Sequence, residues 1–395
     1  MFFNQVIGLE ETKSKLRYMA QNSRLSHAIL LSGAEGTGAL PLALAFSQYL
    51  VCDSVTRKTP ALDLLFQSPS DEEVFPVESC GVCASCIKAA QLIHPDIHYT
   101  YPVFTRKPGD KPLSVDFITE WREFISLSPY GNLYDWLQFI QAENKQGNIS
   151  ANECNDITRK LSLKSFEGGY KILVMWMPEY LGNEGNKLLK LIEEPPPDTL
   201  FLLVAEHGAQ ILPTLLSRLQ IIQLPKPDMQ EIELALQGQV SAEQARKLAA
   251  VSQQNYREAL RLLQDTPEDW QGLLRDWLNG ILKTGPVAQV KWVEEISRQG
   301  RERQKQFLQY FSHLLEQAIR LRMSGEQAGG LQASEQDFAL RLNRIADVSC
   351  QEAIIEEINS AIYYIERNAH AKMLFHALTI RFYHIIVNRE VAVIT

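Results

Sequence analysis

At 395 residues, with 45% hydrophobic and 22% charged residues, the chain has the composition of a soluble globular protein and length enough for two or three domains. Its formal net charge of −8 argues against a protein that grips nucleic acid alone, so any work on DNA is expected inside an assembly whose other chains supply positive charge. No run approaches the roughly eighteen apolar residues of a membrane span, and "MFFNQVIGLEETKSK" lacks the order of a signal peptide; the expected compartment is the cytoplasm, with no membrane contact.

"HAILLSG" (27–33) reads as a buried parallel strand, followed by a helix over 39–52 whose Pro41 must sit in the first turn. "IHYTYPV" (97–103), "KILVMWM" (171–177), "TLFLLVAE" (199–206) and "LQIIQLP" (219–225) read as further strands. Between the third and fourth of the five, 184–194 has amphipathic helical spacing, stopped by Pro195, Pro196 and Pro197. This alternation predicts an α/β domain with a mostly parallel sheet. Residues 104–168 interrupt it with a loop-like "TRKPGDKP" and aromatic-rich helical stretches, read as an elaboration of the same domain. After "LPKPD" (224–228) strand signals nearly vanish until the last dozen residues. A small helical domain follows, and from about residue 266 come longer amphipathic helices. The basic run "RQGRERQK" (298–305) reads as a solvated helix face.

Three of the six cysteines, Cys80, Cys83 and Cys86, fall at three-residue intervals, and Cys52 can return as a fourth. Four thiolates suit a closed, structural zinc site better than a redox motif or a group of small core residues. His94 is a possible substitute ligand, although "HPD" also serves to turn the chain into the next strand. Cys154 and Cys350 are read as isolated thiols.

"GAEGTGAL" (33–40) stands where a phosphate-cradling loop belongs, between a strand and a helix. Gly33, Gly36 and Gly38 hold the frame of G-x-x-x-x-G-K-[ST], yet Ala39 and Leu40 replace the lysine that grips phosphate and the hydroxyl that holds magnesium. A later strand should end in an acidic pair, but "KILVM" ends in Trp176 and Met177, which neither bind metal nor accept a proton. Glu179 lies beyond the strand end and reads as a solvated residue starting the next helix. Productive ATP binding is therefore not expected, the rival being an ATPase with an unorthodox site. In "LPTLLSRLQ" (212–220), Thr214 to Arg218 reads as a short helix. Arg218 there is either an ordinary surface arginine or a finger that reaches a neighbour's phosphoryl group.

Together "RLSHAILLSGAEGTG", "CGVCASC" with "HPD", "GNKLLKLIEEPPPDTLFLL" and "LPTLLSR" resemble the clamp-loader branch of the AAA+ ATPases, and within it the delta prime family of bacterial DNA polymerase III. The resemblance implies an AAA+ α/β domain over 1–225, with a zinc module at about 52–96 and the insertion at 104–168. It also implies a helical lid over 226–265 and an all-α collar over 266–395. Carried over by position, the zinc ligands are Cys52, Cys80, Cys83 and Cys86. The phosphate-gripping lysine and threonine fall on Ala39 and Leu40, the acidic pair on Trp176 and Met177. The family's Ser-Arg-Cys falls on Ser217, Arg218 and Leu219, so the arginine finger is kept and the cysteine lost. Arg257 resembles the second-sensor arginine, with a structural role expected in the absence of nucleotide. The implied function is that of a non-hydrolysing loader subunit that lends Arg218 to a neighbouring ATPase subunit. Its partners would be the delta and gamma or tau subunits and, through the complex, the sliding clamp and primed DNA. A zinc-ribbon protein binding DNA by itself is the remaining rival, disfavoured by the acidic balance.

Overall fold

The computed structural model describes residues 1–389 apart from residue 23 and segments 57–75, 107–108, 110, 143–144, 265–269, 325–332 and 367–368. Part of the expected zinc module, part of "TRKPGDKP" and the final residues therefore lie outside the described residues. The chain divides into two units, Met1–Gln264 and Asp265–Thr395.

The first unit is built on a five-stranded parallel sheet of order β2-β3-β4-β1-β5. Its strands are β1 (Ala28–Ser32), β2 (Ile97–Thr100), β3 (Lys171–Trp176), β4 (Thr199–Ala205) and β5 (Gln220–Gln223). The three middle strands are buried along their whole length, as continuous apolar runs covered on both faces require. Because side chains alternate, Ile29, Leu31, Ile172, Val174, Trp176, Leu202 and Val204 enter one core, and Leu30, Leu173, Met175, Phe201 and Leu203 another.

The first core is covered by α1 (Glu10–Gln21) and by α2 (Ala39–Val51), a helix buried on every side. Behind α2 come α3 (Asp53–Thr56) and α4 (Ala84–Ala90). The stretch 104–168 forms α5 (Ile118–Leu127), α6 (Leu133–Phe139) and α7 (Ala151–Ser162), anchored at its base by a bridge between Val103 and Asn148. Helices α5 and α6 join the first core, and α7 joins the second.

The expected helix at 184–194 differs. A 3-10 stretch runs over Pro178–Leu188, with Gly182 non-helical, and only α8 (Leu189–Glu193) is α-helical. Gly182 and Gly185 in "LGNEG" explain the tighter winding, since glycine weakens an α-helix but tolerates the break. After β4, α9 (Pro213–Leu216) starts on its proline. Helices α10 (Met229–Leu236), α11 (Ala242–Val251) and α12 (Tyr256–Gln264) then share a small core of Ile232, Leu236, Ala245, Ala249, Tyr256 and Ala259 with Tyr130 of the 104–168 stretch.

The second unit holds α13 (Trp270–Asn279), α14 (Pro286–Arg298), α15 (Arg301–Ser324), α16 (Ala333–Ile345), α17 (Val348–Glu366) and α18 (Ala371–Tyr383). Its core centres on Trp277 and Trp292, stacked 4.5 Å apart, with the Trp277 indole N–H donating to Thr379 Oγ1 at 3.0 Å. Of the last dozen residues, where the sequence carries a strand signal, His384–Asn388 form a π-helical turn continuing α18, and 390–395 lie outside the described residues. The basic run 298–305 straddles the break between α14 and α15 rather than lining one helix. Among the described residues, no helix is long and apolar enough to cross a membrane.

Candidate functional site: a filled cleft and a four-cysteine knuckle

The glycine loop lies at the C-terminal end of β1, where a parallel sheet with helices on both faces offers its ligand crevice. Here the crevice is filled. Gly38, in the left-handed region at φ 86°, caps the start of α2, and a Cβ on it would stand 3.0 Å from the Tyr130 ring. A Cβ on Gly36 (φ 77°) would lie 2.0 Å from Asn255 Oδ1, and one on Gly33 2.5 Å from Thr37 Oγ1. The glycines thus admit other parts of the chain to the loop. Ala39 and Leu40 are buried, and the remaining cavity, lined by them, Tyr130, Trp176 and Glu206, measures about 20 Å³. That is room for about one water, against the ~300 Å³ or more of a typical ligand pocket.

Trp176 shows where the 104–168 stretch does its packing. Its ring lies 5.2 Å from Trp121 and 6.2 Å from Phe124, both on α5, while Trp121 stacks on Tyr101 at 4.0 Å and meets Trp136 of α6 edge-on. Each such aromatic pair contributes about 0.5–1.5 kcal/mol beyond its area burial. Met177, at the adjacent position, is buried with φ 57°.

Glu179 is not solvated as expected. It is buried, and its Oε1 accepts the backbone N–H groups of Glu206 (2.7 Å) and His207 (2.6 Å), satisfying the end of β4. Burial pushes its carboxyl above the usual range.

A charged clasp closes the same end of the sheet. Arg257 on α12 binds Asp135 of α6 through Nε and Nη2, both at 2.6 Å, and Glu35 of the loop through Nη1 at 2.8 Å. Glu35 also accepts from Asn255 at 3.1 Å and from Asn132 at 2.9 Å. The arginine side chain is 7% exposed. One carboxylate therefore meets the arginine from within the glycine loop itself. The sequence carried the loop and the arginine but gave no sign of this pairing, because Glu35 and Asp135 lie in separate segments far from Arg257.

The cysteine knuckle is different in kind. The sulfurs of Cys52, Cys80, Cys83 and Cys86 lie within 4.8 Å of one another, with Cys80 and Cys86 Sγ 4.0 Å apart. A tetrahedral zinc–thiolate centre needs sulfurs about 3.8 Å apart, given Zn–S bonds of about 2.3 Å, so the donor set fits that ion. The N–H groups of Cys80, Cys83 and Cys86 donate to the sulfurs of Cys52, Cys80 and Cys83 at 3.3–3.4 Å. The Cys83 N–H leads the influences that hold the Cys80 thiol down to about 6, whereas burial pushes Cys86 up. Gly81, at φ 72°, makes the turn, and a Cβ there would strike the Phe2 ring at 2.7 Å. Cys83 then caps α4. His94 stands outside the sulfur group. Its Nδ1 accepts the Asp96 N–H at 3.2 Å, which puts the proton on Nε2, 3.1 Å from Glu167. Glu167 also accepts from Ser85 and Lys88 of α4, tying the knuckle to the sheet.

Arg218 lies at the opposite end of the sheet from the loop. It immediately precedes β5, which runs parallel to β1, whereas the loop follows β1. Its Nε donates to Glu193 at 2.6 Å and its Nη1 to Thr214 O at 2.6 Å and Ser217 Oγ at 3.2 Å. The side chain is 33% exposed.

A protein-family model described as DNA polymerase III, delta subunit, matches residues 8–228. DNA polymerase III subunit delta' of Escherichia coli (strain K12) is 27% identical over 240 residues, 60% of this chain and 54% of that protein. Subunit delta' of Yersinia pestis is 27% identical over 346 residues, covering 84% of this chain and 79% of that protein. Subunit tau of Bacillus subtilis (strain 168) is 24% identical over 296 residues, 73% of this chain and 41% of that protein. The chain spans about half the length of the Escherichia coli relative that it matches. Since the family match takes in more than half of the chain, the chain belongs to the DNA polymerase III, delta subunit, family.

Proposed function

We propose that this chain is a non-hydrolysing, delta prime type subunit of a bacterial clamp loader, working in the cytoplasm as a fixed member of an AAA+ ring. The filled cleft carries the proposal. The loop keeps its glycines and lacks lysine and hydroxyl, Tyr130 and Trp176 line the little space that remains, and the Glu35–Arg257–Asp135 clasp ties the loop to α6 and α12. Such a chain contributes to ATP hydrolysis only from outside its own cleft.

Arg218 is the group for that task. One-third exposed at the far end of the sheet, it would enter the ATP site of an adjoining gamma or tau subunit and meet the charge that develops on the transferring phosphoryl group. Ser217 would orient it through the contact to Nη1. Cys52, Cys80, Cys83 and Cys86 would hold a structural zinc, closing the knuckle with no position left for catalysis. Helices α10–α12 are the candidate lid and the second unit the candidate collar, through which the chain would assemble with delta and the ATPase subunits around the clamp and primed DNA.

The test is a loader reconstituted with Arg218→Ala. Assembly should be intact, while DNA-stimulated ATPase falls by about 10³-fold at the one site that the arginine serves. An unchanged rate at that site overturns the finger. Isolated wild-type chain should show neither magnesium-dependent ATP binding nor turnover, and saturable binding overturns the filled-cleft reading.

A further inference from the structure

A second cleft in the first unit, of about 440 Å³, opens between α2, the end of α4 and α5, well within the size range of small-molecule sites. Its walls are apolar at Leu44, Leu92 and Ile125, with Ser126 at the rim. Arg122 supplies the charged side chain of the lining, and among the described residues no carboxylate lines the cleft. In a chain of net charge −8, a cavity bounded by a cation, with no acid among its described lining residues, is a locally positive place.

The arginine is both fixed and available. Its Nε donates to the carbonyl of Leu92 at 3.1 Å, which holds the guanidinium in the wall. Its two Nη atoms have no hydrogen-bond or ion-pair partner among the described residues. An immobilised guanidinium with both Nη groups to offer matches an anion that presents two oxygens. The apolar side chains beside it would shelter a hydrocarbon body, and their burial would add to the affinity.

We propose that this cleft binds a small amphiphilic anion: a carboxylate or phosphate monoester carried on an apolar group, with the anionic head on Arg122 and the body against Leu44, Leu92 and Ile125. The volume of the cleft suits one small molecule rather than an extended peptide. The site is distinct from the glycine-loop cavity, although Pro129 borders both, and it does not depend on the function proposed above.

Titration calorimetry on the full chain tests it with octyl phosphate and octanoate. Inorganic phosphate and octanol serve as probes that carry only one of the two features. At least one amphiphilic anion should bind about tenfold or more tightly than either single-feature probe. Arg122→Gln should weaken that binding about tenfold or more, with Arg122→Lys intermediate because it keeps the charge and loses the fork. Ser126→Phe, one helical turn from Arg122 on α5, fills the rim while keeping the guanidinium, and should abolish binding while leaving the melting midpoint in place, so the test survives if Arg122→Gln disturbs the Leu92 contact. Absence of saturable binding by both anions at millimolar concentration, or equal binding in the folded Ser126→Phe protein, overturns the proposal.

Discussion

The glycine loop and the cysteine knuckle lie in one unit, and they differ in which half of a binding site each retains. The loop keeps backbone geometry without ligand chemistry: Gly33, Gly36 and Gly38 are in place, yet side chains of the same chain occupy the cleft. The knuckle keeps the donor set, four sulfurs within 4.8 Å held on short turns, with Cys52 and Cys86 buried beneath and Val82 at its tip 80% exposed. A region that has replaced its ligand with protein is stabilised by contacts between distant segments. A region that keeps only the donor set is expected to draw its stability from the ion those donors suit.

The largest effect should come from the knuckle. Structural zinc in small thiolate sites is worth on the order of 10–16 kcal/mol of apparent binding energy at neutral pH. Protein purified without chelator should carry one zinc per chain, and Cys83→Ser or chelation should strip it and expose the amides of α4 to rapid hydrogen exchange. Protection unchanged by chelation would place the knuckle in the same class as the loop.

Next is Arg257→Ala, which leaves Glu35 and Asp135 facing each other without their cation. Those carboxylates are 24% and 27% exposed, so the expected loss is about 2–3 kcal/mol in denaturant unfolding, below that for a fully buried pair. A loss near zero would mean that packing at Tyr130 alone holds α12 to the loop. Gly36→Ala should cost about 2 kcal/mol, combining a left-handed backbone with a methyl group driven into Asn255. If instead that variant is neutral, the loop is looser than a filled site allows.

The smallest effect concerns Glu179. Burial raises its folded pKa, so the native state holds the proton more tightly than the unfolded chain, and stability declines as pH rises past the ordinary glutamate value. Glu179→Gln keeps an oxygen to accept the Glu206 and His207 N–H groups and removes the charge. Its melting midpoint relative to the wild type should therefore climb as pH rises past the ordinary glutamate value, by less than the losses expected at Arg257 and Gly36. A flat difference would mean that the two N–H donors fully compensate the buried charge.

The sheet was legible because β3 and β4 are continuous apolar runs with turn residues at their ends, and the cysteine spacing speaks for itself. What escaped was tertiary. Glu179 looks solvated by residue type, and only the fold delivers two N–H groups to it. The aromatic helices of 104–168 are visible as helices, but their purpose depends on Trp176, whose alternation along β3 turns it toward them. The Glu35–Arg257 pair spans 222 positions, and no local pattern announces a contact of that length. The stretch 184–194 failed for a local reason, since helical spacing of apolar residues does not distinguish an α-helix from a 3-10 turn broken by glycine.

The bond from Arg218 to Glu193 has a further consequence. The guanidinium travels with its own counterion, so beyond a few ångströms the pair presents almost no net charge and exerts little pull on a distant polyphosphate. Encounter between neighbours would then be steered by other surfaces, and the arginine would act only at contact, where a phosphate oxygen would replace the Glu193 carboxylate oxygen on the guanidinium. For the proposed finger, exchanging one anionic oxygen for another would keep the arrival reversible and would give the arginine a place to return to once the phosphate has gone.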